Sequence, residues 1–121
     1  MALKLYQYPK CSTCRKAARW LSDRQIAADA TDLVLTPPSV SVLKDLKRRS
    51  LLPIAKFFNT SGESYRAGNF KERLKTMSEA EAFSELAKDG KLIKRPILDT
   101  GREVLVGFDE KAYASVLKPK G

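Results

Sequence analysis

The chain has 121 residues, 43% of them hydrophobic and 31% charged, with a formal net charge of +9. That length suits one domain with a real core, and that balance excludes a disordered chain. No apolar run approaches the roughly 18 residues a membrane helix needs, and with no histidine any proton transfer falls to Cys, Lys, Tyr, a carboxylate, water or a partner.

Residues 3–8, LKLYQY, alternate apolar and polar and predict a short strand, stopped by Pro9. From Ser12 the period changes. Cys14, Ala17, Ala18 and Leu21 fall at i, i+3, i+4 and i+7, the spacing of a helix with one buried face. Residues 26–35, IAADATDLVL, predict a second strand, ended by Thr36-Pro37-Pro38. Val40, Leu43 and Leu46 then repeat at helical spacing over 39–49. Residues 51–69 are broken by Pro53, Gly62 and Gly68 and predict turns with short helical pieces. Residues 69–76 give one or two turns, with Phe70 and Leu74 at i, i+4. Ser78-Glu79-Ala80-Glu81 fits the box in which each side chain satisfies a free backbone donor at a helix start. The helix behind it should bury Ala82, Phe83, Leu86 and Ala87 and end at Asp89-Gly90.

Strands return in the last third. Leu92-Ile93 leads into a strand over 94–98, Asp99-Thr100-Gly101-Arg102 reads as a hairpin turn, and 103–107, EVLVG, is its partner. Asp109 should cap a last helix burying Ala112, Tyr113, Val116 and Leu117. The order is β-α-β, a helical block, then β-β-α. This is the order of an α/β, thioredoxin-like (glutaredoxin-like) core with a mixed four-stranded sheet and an inserted helical block. One domain, 1–121, is enough, with the core in 1–36 and 91–121 and the insertion in 37–90.

The positive charge admits an anionic partner such as an oxyanion, glutathione or nucleic acid. The basic residues are spread along the whole chain, whereas nucleic-acid footprints cluster. A solvated basic surface and no direct nucleic-acid contact are therefore expected. The opening MALKLYQYPK lacks the apolar core of a secretory signal. The expected setting is the reducing cytoplasm, with no membrane contact and a monomeric state. In that compartment a Cys-x-x-Cys pair tends to be catalytic or metal-binding rather than structural.

The two cysteines of the chain, Cys11 and Cys14, lie in YPKCSTCRKAARWL, residues 8–21. Cys11 follows the first strand and the helix starts behind it. A thiolate there faces free N–H groups and the positive end of the helix dipole. Lys10, Arg15 and Lys16 add positive charge, and Ser12 and Thr13 complete the loop. Such settings lower a cysteine pKa from about 8.5 to roughly 3.5–7.5. Cys14, one turn into the helix, should be more buried and able to resolve a mixed disulfide on Cys11. Two cysteines without histidine exclude a Cys/His zinc site within the chain. A buried structural pair, or a zinc or iron–sulfur site shared between two chains, stays open beside the redox reading. Arg95-Pro96 opens the late strand; on sequence alone Arg95 reads equally as a surface arginine, and Pro96 as a strand start.

YPKCSTCRKAARWL, KFFNTSGESYR, LIKRPIL and EVLVGFDE occur in that order and together resemble the arsenate reductase-like (ArsC/Spx) family over essentially the whole chain. The resemblance is closest to its reductase-like, YffB-related branch. It implies a cis Arg95–Pro96 bond facing Cys11. It implies catalytic roles for Cys11, Cys14, Arg15 and Arg95, with Lys10, Ser12, Thr13 and Pro96 shaping the binding groove. It implies a thiol–disulfide reductase with no bound cofactor, fed by glutathione, glutaredoxin or thioredoxin, so that a small thiol or thiol-redox protein is the partner.

Two alternatives follow from the same resemblance. One is a redox-switch regulator that binds RNA polymerase. The other is glutaredoxin-coupled arsenate reduction, which uses one cysteine and three arginines. Arg95 matches one of these. The others are expected near Lys56-Phe57-Phe58-Asn59 and near Leu105-Val106-Gly107-Phe108, where the chain has no arginine.

Overall fold

The computed structural model describes residues 3–117, so the outermost ends of the expected domain lie outside the described residues. The first strand, β1, is Leu3–Gln7, and helix α1 is Ser12–Asp23. β2, Ala28–Asp32, runs parallel to β1. A block of helices follows: α2 (Val40–Ser50), α3 (Glu63–Ala67), α4 (Phe70–Arg73) and α5 (Glu79–Lys88), with a 3₁₀ turn at Ile54–Phe57. A second 3₁₀ turn at Gly90–Leu92 leads to β3 (Ile97–Asp99), β4 (Val104–Val106) and α6 (Glu110–Val116). The sheet order is β2-β1-β3-β4, with β3 antiparallel to both β1 and β4. The mixed four-stranded sheet and the helices between β2 and β3 are the architecture expected from the element order.

The two faces of the sheet carry two cores because successive strand residues point to opposite sides. Leu5 and Leu98 face α1 and α6, packing with Ala17, Trp20, Leu21 and Tyr113. Ile97 and Val104 face the helical block and meet Leu43, Leu46, Phe57, Phe58, Phe83 and Leu86. The block is also tied on through charge. Arg49 of α2 donates from Nη1 to Asp99 Oδ1 at 2.6 Å and from Nη2 to Asp99 Oδ2 at 3.0 Å, while Nε and Nη2 also reach Asp45 Oδ2.

Several local expectations are refined. In α1 it is Trp20 that joins Cys14, Ala17 and Leu21 in full burial, and Ala18 is half-buried. The Ser78 hydroxyl accepts from the Glu81 N–H at 3.1 Å, but the Glu81 carboxylate takes up the Ser78 hydroxyl rather than a backbone donor. The strand expected over 94–98 starts only at Ile97. The preceding residues instead pair with the block, through an antiparallel bridge from Phe58 to Ile93. In α6, Tyr113 is fully buried, while Ala112 and Val116 are partly so.

Gly90 ends α5 for a different reason from the one expected. Its φ is not positive; instead a Cβ there would stand 1.9 Å from the Leu33 carbonyl oxygen. Its hydrogen lets the end of α5 press against the chain leaving β2. No helix of the described residues is long and apolar enough to cross a membrane.

Candidate active site

Cys11 occupies the N-cap of α1, with extended backbone angles. Its N–H donates to the Tyr8 carbonyl at 2.9 Å, and its own carbonyl accepts from Arg15 N–H at 3.0 Å, closing the first helical turn. Proline at position 9 stops the strand and forces the turn that brings this about. Cys11 is half-buried, whereas Cys14 is fully buried and its sulfur accepts the Tyr8 N–H at 3.4 Å.

The two thiols are pushed in opposite directions. Burial works to raise Cys11. The Cys14 backbone N–H, the Cys14 thiol and the Arg95 guanidinium outweigh it and hold Cys11 below the ordinary thiol range. Burial likewise raises Cys14, and the neighbouring Cys11 adds to this, so that it is pushed up to about 12 despite the Tyr8 N–H. A thiolate is therefore favoured at the half-buried sulfur of Cys11 and a neutral thiol at the fully buried one of Cys14.

The Arg95–Pro96 bond is cis, and Pro96 is buried, its carbonyl accepting the Gly107 N–H at 2.8 Å. The guanidinium lies over the Tyr8 ring, 5.2 Å from its centroid, and Nη1 donates to the Lys91 carbonyl at 3.1 Å. Its Nε is buried and has no hydrogen-bond partner among the described residues. The helical block sets the height of this loop: Lys94 N–H donates to the Phe57 carbonyl at 2.7 Å, and Asn59 N–H to the Leu92 carbonyl at 2.8 Å.

The cleft over Cys11 has a volume of about 390 Å³. Thr13, Asn59, Ser61, Lys94 and Arg95 supply its polar lining, and the Val106–Asp109 loop closes one side. Gly107 has φ +85°, and a Cβ there would meet the Lys94 stem at 3.7 Å.

Among the residues singled out from sequence, Cys11, Thr13 and Arg95 line this cleft, while Cys14 and Pro96 are buried and do not. Lys10, Ser12 and Arg15 are exposed and lie outside the cleft lining; the cation that acts on Cys11 is Arg95. Lys56 and Arg66 do not line it either; Arg66 instead donates to the Ser61 carbonyl at 2.8 Å. The two stretches where the resemblance implied further arginines bring none to this cleft, which has Asn59 on one wall and Val106, Gly107 and Phe108 on another. Sequence reasoning missed Tyr8, Asn59 and Lys94. The signals available were the adjacency of Tyr8 to the cysteine loop, of Lys94 to Arg95, and the single amide in KFFN.

The model of the ArsC family matches residues 6–116. The chain belongs to the ArsC family. It is 48% identical over 113 residues to the uncharacterized protein YusI of Bacillus subtilis, covering 93% of this chain and 96% of YusI. It is 26% identical to the global transcriptional regulator Spx of Lactiplantibacillus plantarum, over 96% of this chain and 86% of Spx. Among solved structures, an ArsC-family-related protein of Bacteroides fragilis superposes with a TM-score of 0.92 at 42% identity, covering 96% of this chain and 98% of that one. The thioredoxin-like fold of this ArsC family member thus agrees with the element order.

Proposed function

We propose that this ArsC-family protein is a thiol–disulfide reductase in which Cys11 attacks and Cys14 resolves. The single observation that carries this reading is the opposite tuning of two sulfurs one helical turn apart, with Arg95 beside the outer one. The Cys11 thiolate bonds one sulfur of a disulfide, and the other sulfur leaves as a thiolate. The Cys14 thiol then displaces the first sulfur, its proton passing to the thiolate released. The products are the Cys11–Cys14 disulfide and a reduced substrate. Glutathione, glutaredoxin or thioredoxin returns the two electrons.

Burial of Cys14 keeps it neutral and inert until the mixed disulfide forms, because a neutral thiol is a poor nucleophile. Arg95, over the Tyr8 ring, holds the attacking charge. The test is a coupled NADPH assay with small disulfides and each of the three donors. Turnover that disappears in Cys11→Ser supports the reading, and a rate equal to that variant with every donor removes it.

Similarity to Spx over nearly the whole chain supports a second reading. There, oxidation of the same pair changes the surface offered to RNA polymerase, and no substrate is turned over. Co-precipitation of polymerase with the reduced and oxidised forms decides it.

A further inference from the structure

Tyr8 touches each of the three groups that make the site. Its carbonyl accepts the Cys11 N–H at 2.9 Å, and its N–H reaches the Cys14 sulfur at 3.4 Å. Its ring lies under the Arg95 guanidinium, with 5.2 Å from the ring centroid to the guanidinium carbon. The two backbone contacts are open to any residue that keeps its N–H, so to any but proline. The ring contact belongs to the side chain alone.

How Arg95 is held decides what its charge is free to do. Arg49 is gripped by two carboxylates, Asp45 and Asp99, which neutralise it. Arg95 lies in no ion pair among the described residues. Its fixed points are the Lys91 carbonyl, which accepts Nη1 at 3.1 Å, and the Tyr8 ring. Both attract a cation and neither carries a formal charge. A carboxylate in their place would fix the guanidinium as firmly, but its own charge would oppose a thiolate nearby. With no support, a long arginine side chain spreads over many rotamers and turns its head to water. The charged and titratable groups around the Cys11 sulfur are Cys14, Arg95 and, in the cleft lining, Lys94 and Asp109. Of these, Arg95 is the cation hydrogen-bonded to the sulfur.

We propose that Tyr8 is a positioning residue: the face of its ring holds the Arg95 guanidinium against the Cys11 sulfur without neutralising it, so that the full charge is offered to the thiolate. This rests on the reductase reading only for its consequence in turnover. The hold itself belongs to the resting protein.

The test is iodoacetamide alkylation of Cys11 against pH in the full chain, with no substrate present, read by mass spectrometry. Tyr8→Leu is expected to raise the proton affinity of the Cys11 thiolate about threefold to tenfold, the worth of one ring–cation contact, and so to move the alkylation midpoint upward. Tyr8→Phe, which keeps the ring face, should restore the wild-type midpoint. A ring-trifluorinated phenylalanine at position 8 has nearly the shape of phenylalanine, but its face is drained of negative charge. It should move the midpoint as Tyr8→Leu does, and it decides the matter even if Tyr8→Leu fails to fold.

Arg95→Gln removes the cation, so adding Tyr8→Leu to it should shift nothing further. An equal shift with and without Arg95 would mark a packing effect and overturns the proposal. So does a Tyr8→Leu midpoint no different from wild type, or one midpoint shared by the plain and fluorinated rings. These midpoints decide the role of Tyr8 even if no disulfide is ever turned over. If Cys11→Ser abolishes turnover of small disulfides while all the Tyr8 variants share one midpoint, the reductase reading stands and this one falls.

Discussion

The Arg95 guanidinium stands beside Cys11 and lowers its pKa, held over the Tyr8 ring 5.2 Å from its centroid. This pairing joins two ends of the chain at one sulfur. Replacing Arg95 with Gln removes the charge but keeps a polar side chain. Arg95→Gln is expected to slow Cys11 alkylation at pH 6 several-fold and to leave it nearly unchanged at pH 10, where both proteins are thiolate. Mass spectrometry of the alkylated chain reads the effect.

Cys14 cannot attack as a free thiol near neutrality, with its pKa pushed up to about 12. In the proposed reductase cycle it acts only when Cys11 is already bonded to a substrate sulfur. Cys14→Ser should therefore accept one equivalent of disulfide and stall. Intact-mass analysis under non-reducing conditions should find the mixed disulfide on Cys11 in that variant and a Cys11–Cys14 disulfide in the wild type.

Arsenate is expected to be a poor substrate. Arg95 is the one arginine lining the cleft, and each missing charged hydrogen bond forfeits roughly 1.5–3 kcal/mol. Lys94 adds one ammonium, a point charge without the bidentate fork of an arginine, and Asn59 and Ser61 offer only neutral donors. A glutaredoxin-coupled assay should give an arsenate-dependent rate no higher than that of Cys11→Ser.

Gly90 fixes how the helical block meets the core. A methyl group there points into the Leu33 carbonyl at 1.9 Å, and backbone atoms must move to admit it. Gly90→Ala is expected to destabilise the protein by about 1–3 kcal/mol. Urea unfolding should record this as a lower midpoint with unchanged slope.

Arg49 and Asp99 form the charged link between the same two parts. The bidentate hydrogen bonds from Arg49 outweigh burial and hold the Asp99 carboxyl below the usual carboxylate range. A carboxylate depressed in the folded state stabilises fully above its unfolded pKa near 3.9 and loses that contribution as pH falls through the lower, folded value. Asp99→Asn should therefore lower stability at pH 7 and flatten its dependence on pH in the acid limb. Denaturant melts at pH 7, 5 and 3 test this.

Much of the fold was legible because its signals are local. The alternation in LKLYQY, the spacing of Cys14, Ala17 and Leu21, and the cap residues Ser78 and Asp109 each act within a turn or two of chain. The late strand was read too long because Ile93 and Lys94 pair with Phe58 and Phe57, a long-range contact that local pattern does not encode. At the site, the deeper burial of Cys14 than of Cys11 followed from strand and helix order. Which cation serves Cys11 did not. Lys10 and Arg15 are neighbours in sequence but are exposed, and it is Arg95, from the far end of the chain, that the fold sets beside Cys11.

The pH dependence of iodoacetamide alkylation at Cys11, measured in Cys14→Ser so that one sulfur reports, tests the central claim most directly. The account predicts a midpoint well below that of an ordinary thiol, moving upward when Arg95→Gln is added. A midpoint near 8.5, indifferent to Arg95, would contradict it.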